Sequence, residues 1–153
     1  MPLTLVFRAE GHQNIRCNHP TTLMITKDTH LSMRGDCIAA VGAEVALSDL
    51  PAEFKRAARK PDTIITLTLD LGPHMLILTG RGHPRLSYSD QRDMVARVSR
   101  HTCERTLMVE ADKASTDVPR DMLSELQIPG TVIRVTLTMS EYNNVHDQSG
   151  TLF

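Results

Sequence analysis

The stretch AAVGAEVALSDLPAEFKRAARKPDTIITLTLDL at 39–71 is matched without a gap by LMVEADKASTDVPRDMLSELQIPGTVIRVTLTM at 107–139. Of the 33 aligned positions, 10 are identical, among them Val41/Val109, Ala43/Ala111, Asp49/Asp117, Pro51/Pro119, Pro61/Pro129, Thr63/Thr131 and Ile65/Ile133. Self-similarity at a fixed offset is the mark of a repeated structural unit. Because the two copies fill the chain, the pattern predicts one duplicated domain over 1–139 with a pseudo-two-fold axis. Its first half covers about 1–71 and its second about 74–139. The remainder, 140–153 (SEYNNVHDQSGTLF), is polar and without periodicity, so a poorly ordered tail is expected there.

Within the repeat, 63–71 (TIITLTLDL) sets Ile64, Thr66, Thr68 and Asp70 against Thr63, Ile65, Leu67, Leu69 and Leu71. A period of two with one apolar face predicts a half-buried strand. Ser48 to Pro51 opens a helix in which Ser48 or Asp49 can cap the free amides and Pro51 suits the first turn. Thr116 to Pro119 opens its counterpart, through about Leu126. Gly72 and Pro73 turn the chain back into 74–79 as an antiparallel hairpin. Upstream, 3–9, 22–26 and 37–43 read as strands, matched by 94–99 and 105–111. Each half is therefore strand, strand, strand, helix, strand. Eight strands and two short helices predict a mainly β fold, either a jelly-roll-like sandwich or a closed barrel, since a sheet of that size curls or splits into layers.

Composition narrows the function classes. The chain has 153 residues, a net charge of −1, five aromatic residues and no Trp. That leaves neither a long-range field for nucleic acid nor an array of rings for stacking bases. The basic residues are 13 Arg against 4 Lys, and six arginines lie between Arg81 and Arg105. Arginine's planar fork suits carboxylate or phosphate, which keeps an anion site open and nucleic acid as a weaker alternative. Three cysteines form no close pair, which points to a reducing cytoplasm. No apolar run approaches a membrane span, and the first residues do not read as a signal peptide.

The candidate site residues come from the histidines. His12 and His83 both follow glycine, in EGHQN and RGHPR, and a pseudo-two-fold axis could bring them to one cleft. The alternative is a glycine bulge over which the histidine bonds to backbone. Adding Asn18, His19, Thr21, Thr22 and Asp90, with Arg34 and Arg81 for an anionic group, gives a polar binding site between the halves. His12, His19 and His83 are also the candidate ligands of a divalent metal, with Asp36 or Asp90 as base in a hydrolase. No sequence signature of a zinc site supports that set. Cys37 and Cys103 carry no arrangement that marks a nucleophile, and Gly80 to His83 lacks the helix that a phosphate loop requires.

The run FRAEGHQNIRCNHPTTLMITKDTHLSMRGDCIAAVGA, with LSDLP, RGHP and ERTLMVEADKASTDVPRDM, resembles the archaeal family known as domain of unknown function 371, over about 5–139. The resemblance implies a jelly-roll-like β-sandwich in an archaeal cytoplasm and brings no catalytic residue. The expected function is a binding module for a small ligand or anion, as a monomer or homodimer.

Overall fold

The computed structural model describes residues 2–141. The chain runs β1 (Leu3–Glu10), β2 (Thr22–Thr26), β3 (Ile38–Ala40), a 3-10 turn (Leu47–Asp49), α1 (Ala52–Ala58) and β4 (Thr63–Asp70). It continues through β5 (Met75–Arg81), β6 (Asp93–Arg97), β7 (Thr106–Met108), a second 3-10 turn (Ser115–Asp117), α2 (Arg120–Leu126) and β8 (Val132–Glu141). The final strand outruns its sequence-based boundary by two residues, since Ser140 and Glu141 pair with Ile64 and Thr63. The rest of the expected tail lies outside the described residues.

The strands form two four-stranded sheets, β1-β8-β4-β5 and β3-β2-β6-β7. The first is antiparallel throughout. In the second, β2–β3 and β6–β7 run parallel around an antiparallel β2–β6 centre. Two separate sheets correct the closed-barrel alternative, and the parallel pairs depart from the all-antiparallel jelly-roll pattern. In the first sheet alternation sends Ile65, Leu67, Leu69, Ile133, Val135 and Leu137 inward, where all are essentially fully buried. The central strands of the second sheet are buried at nearly every position, which fits their unbroken apolar runs.

Edge strands with free amides invite pairing with other chains. Both edges of the first sheet are blocked at one end in the same way. The Arg8 amide donates to the Glu44 carboxylate at 2.7 Å and Glu44 N donates to Arg8 O at 3.0 Å. Across the sheet, Thr79 N donates to the Asp112 carboxylate at 2.9 Å and Asp112 N to Thr79 O at 2.9 Å.

That correspondence extends through the fold. Exchanging β1–β4 with β5–β8 leaves both sheet orders unchanged apart from direction of reading. Isolated bridges join Glu10 to Val41 and Arg81 to Val109. Matched positions therefore differ by 71 before the third strand (81 − 10) and by 68 after it (109 − 41). The three extra residues of the first half fall in the loop ahead of β3.

The helices begin later than capping residues alone suggest. Asp49 does not cap α1; its carboxylate accepts Ala46 N at 2.9 Å, and Asp117 accepts Ala114 N at 2.8 Å. The cause is the proline. A residue before proline is pushed extended, and Leu50 (ψ 144°) and Val118 (ψ 121°) obey. Each helix start thus splits into a 3-10 turn held by aspartate and an α-helix whose N-cap is Pro51 or Pro119.

Candidate functional site

The two Gly-His steps do not meet. β1 and β5 are opposite edges of the first sheet. β1 ends opposite Val132 at the start of β8, whereas β5 ends beside Ile64, which pairs with Ser140 near the end of β8. With strands ~4.8 Å apart and ~3.3 Å per residue, roughly 30 Å separates the strand ends that carry His12 and His83. Each histidine has its own backbone partners. His12 N donates to Leu126 O at 2.9 Å and its Nδ1 accepts Asn14 N at 2.9 Å. His83 N donates to Ala58 O at 2.8 Å and its Nδ1 accepts Arg85 N at 3.1 Å. The glycines are needed for close approach, not for unusual φ. A Cβ on Gly11 would collide with the carbonyls of Leu126 and Ile128, and one on Gly82 with those of Ala58 and Lys60.

His19 and Asp90, which also match at the 71-residue offset, are turn builders. The His19 ring accepts Thr22 Oγ1 at 2.9 Å and the amides of Thr21 and Thr22 at 3.2 Å. Asp90 accepts Arg92 N at 3.1 Å and Asp93 N at 2.7 Å. Their carbonyls take Thr116 N and Ser48 N, tying each turn to the other half's 3-10 turn. Asn18, His19, Thr21 and Thr22 are therefore brought together, while His83, Asp90 and Arg81 lie on the matching side of the second half. Arg34 is exposed in the loop before β3. Among the described residues no group of three His, Cys, Asp or Glu side chains could hold a metal ion, so His12, His19 and His83 do not gather as a ligand set.

The Arg81–Arg105 stretch is likewise dispersed. Arg92, Arg100 and Arg105 pair with Asp28, Glu110 and Asp93 at 3.7, 3.0 and 3.5 Å. Arg97 donates to Thr106 Oγ1 and Cys103 Sγ. Among the described residues carboxylates answer at least three of these guanidiniums, which breaks up any continuous phosphate-binding face.

One cavity stands out by its charge. It is about 380 Å³ and is lined by Arg16, Cys17, Asn18, Thr116, Val118, Arg120 and Leu123. Neither Arg16 nor Arg120 has an acidic partner among the described residues. Two smaller cavities, about 230 and 220 Å³, carry no excess of positive charge: Lys60 bonds Glu141 at 2.8 Å in one, and in the other Arg8 pairs with Glu44 at 3.8 Å while Glu10 adds a second carboxylate.

The matched place in the second half has a different lining. Cys17 and Tyr88 correspond, with nearly the same left-handed backbone, φ 48° and 51°. Tyr88 is fully buried and its hydroxyl donates to Leu107 O at 2.6 Å, so a ring stands where the first half has a thiol. Cys17 places only a thiol there, donating weakly to Ile38 O at 3.9 Å. Arg16, Asn18 and Arg120 correspond to Ser87, Ser89 and Ala52. Leu123 corresponds to Lys55, whose ammonium is already bonded to Ser48 O at 3.0 Å. Burial, with a smaller push from Cys37, raises the Cys17 thiol to about 12. It is uncharged at neutral pH and lines the cavity as an apolar group.

Sequence reasoning had Asn18 and His19 in view but missed Arg16, Thr116 and Arg120. Continuing the repeat upstream at the 71-residue offset would have paired Cys17 with Tyr88 and shown the difference in side-chain volume.

A two-sheet β-sandwich with short helices and one cationic cavity is the class of protein that this fold and site define. The chain belongs to the family described as Domain of unknown function (DUF371), whose model matches residues 7–140. It is also 34% identical over 125 residues to Uncharacterized protein MJ0206 of Methanocaldococcus jannaschii, covering 82% of this chain and 92% of that protein.

Proposed function

We propose that the chain is a binding module for a small oxyanion, carboxylate or phosphate, held between Arg16 and Arg120 with Asn18 and the Thr116 hydroxyl completing the polar wall. The observation that carries this reading is the pair of unanswered arginines around a cavity of about 380 Å³. Charge-assisted guanidinium–oxyanion bonds are stronger than neutral ones and often bidentate, and the exposed Arg16 and Arg120 side chains can both reach an anion at the cavity mouth. The reading extends to origin: one ancestral unit was copied, and the pocket belongs to the first copy, where Cys17 and Leu123 stand in place of Tyr88 and Lys55. Binding rather than covalent chemistry follows from Cys17, which offers no thiolate. Three free cysteines suit a reducing cytoplasm.

Titration calorimetry with inorganic phosphate and with succinate tests this. One of the two should bind, and Arg16→Gln and Arg120→Gln should each weaken it about tenfold, the ~1.4 kcal/mol scale of one charge-assisted bond. Cys17→Tyr, which imitates the second half, should abolish it. Binding that is indifferent to both arginines, or absent for both probes, overturns the reading.

A further inference from the structure

The outward face of the first sheet has an unusual composition. Reading across β1-β8-β4-β5, one row is Thr4, Thr138, Thr66 and Thr79; the next is Val6, Thr136, Thr68 and Ile77; the third is Arg8, Arg134, Asp70 and Met75. The middle two strands show no charge over two full rows. Of the seven large hydrophobic side chains exposed among the described residues, four stand on this face: Val6, Met75, Ile77 and Val132. Threonine is itself a common strand residue; what sets this face apart is a charge-poor centre bearing exposed Val6 and Ile77 inside a charged margin, the composition of an interface.

We infer that this face binds a second copy of the chain, sheet on sheet, about a two-fold axis running along the strands between β8 and β4. The argument is self-complementarity. That axis carries β4 of one copy onto β8 of the other at the same level. Arg134 then faces Asp70 of the second copy, and Asp70 faces its Arg134, giving two reciprocal charge contacts. Val6 faces Ile77 of the second copy, apolar on apolar, and threonine faces threonine. Sheets stack in this manner with a modest rotation at ~10 Å separation. Edge-to-edge addition is the competing geometry, and Glu44 and Val41, with Asp112 and Val109, already take up the ends of the two edge strands at Arg8–Glu10 and Thr79–Arg81.

Size sets the strength. Four strands ~4.8 Å apart and about seven residues long offer roughly 500 Å² per copy, on the order of 1,000 Å² for the pair. That lies at the lower bound of specific interfaces, so the dimer should dissociate in the micromolar range. It is independent of the anion cavity, which none of these residues lines.

The test is sedimentation equilibrium of the full chain with three variants, each checked by circular dichroism. Wild type should be dimeric at ~100 µM. Arg134→Asp and Asp70→Arg each place like charges across the axis and should weaken association at least tenfold, while the double variant R134D/D70R should restore it. Both positions are exposed or half-buried on an outer face; because the Asp70 carboxylate also accepts Gly72 N at 2.8 Å, circular dichroism on Asp70→Arg separates a loosened turn from lost association. A monomeric wild type at that concentration overturns the inference, as does a dimer unaffected by either single exchange.

Discussion

The three cysteines show how little a residue's neighbours in sequence say about its chemistry. Cys103 follows His101 and precedes Glu104, yet the groups that act on it are others. Burial raises its pKa, but the Arg105 amide, the Thr106 hydroxyl and the Arg97 guanidinium outweigh that and leave it lowered. Cys37 is raised by burial, only partly offset by Thr22, and Cys17 is pushed up to about 12. Alkylation proceeds through the thiolate. Iodoacetamide at pH 8 should therefore modify Cys103 first, Cys37 more slowly and Cys17 last, as read by peptide mass spectrometry over time. Equal rates at Cys103 and Cys17 would contradict both assignments. The contrast between Cys17 and Tyr88 was equally hidden. The two share a left-handed backbone, φ 48° and 51°, and differ in how much side chain they place in the interior. By contrast, a turn with the histidine bonded to backbone was legible at both Gly-His steps, although neither glycine takes a positive φ or forms a bulge. Its physical cause, a carbonyl pressed against each glycine Cα, was not, because that carbonyl comes from a helix in the other half.

At the scale of elements, period and punctuation carried most of the information. The alternation of 63–70 and the Gly72 turn gave β4, β5 and their hairpin almost to the residue. Capping was read at the right residues and attached to the wrong element, because a proline two positions on forbids a continuous helix from Asp49. That correction has a measurable consequence. Asp49 accepts Ala46 N and meets Lys27 Nζ at 2.7 Å. The Lys27 hydrogen bond is the main cause that holds its carboxyl below the ordinary range. A depressed folded pKa contributes stability above the unfolded value, ~3.9, and that contribution disappears as pH falls through the folded value. Asp49→Ala should cost about 1 kcal/mol at pH 7, the usual worth of such a turn-capping oxygen. The gap between wild type and variant should narrow between about pH 4 and pH 2 in urea titrations. Asp49→Asn should keep the turn and lose the pH dependence. A gap that stays constant down to pH 2 would remove the Lys27 contact as a contributor.

At the scale of the whole molecule, the likeness of the two halves can be read in the sequence while the way they combine cannot. Periodicity tells which residues form a strand but not which strand lies beside it, and a two-sheet answer and a closed barrel share the same alternation. The first sheet interleaves the halves strand by strand: β1 and β4 come from the first, β8 and β5 from the second. β8 has first-half strands on both sides, and β4 has second-half strands on both sides. Neither half can then bury its inward leucines and isoleucines alone, however well it repeats the other. Long-range pairing of this kind makes folding cooperative and slow, since loop closure precedes most of the burial. Cutting the chain between Gly72 and Pro73 should give fragments 1–72 and 73–153 that each lack a β-sheet spectrum and a thermal transition. Mixing them in equal amounts should restore both by circular dichroism. If fragment 1–72 instead folds as its own dimer, its strands can stand in for those of the second half, and the interleaved sheet would be a product of symmetry rather than of divergence between the copies. If it folds as a monomer, the burial argument fails.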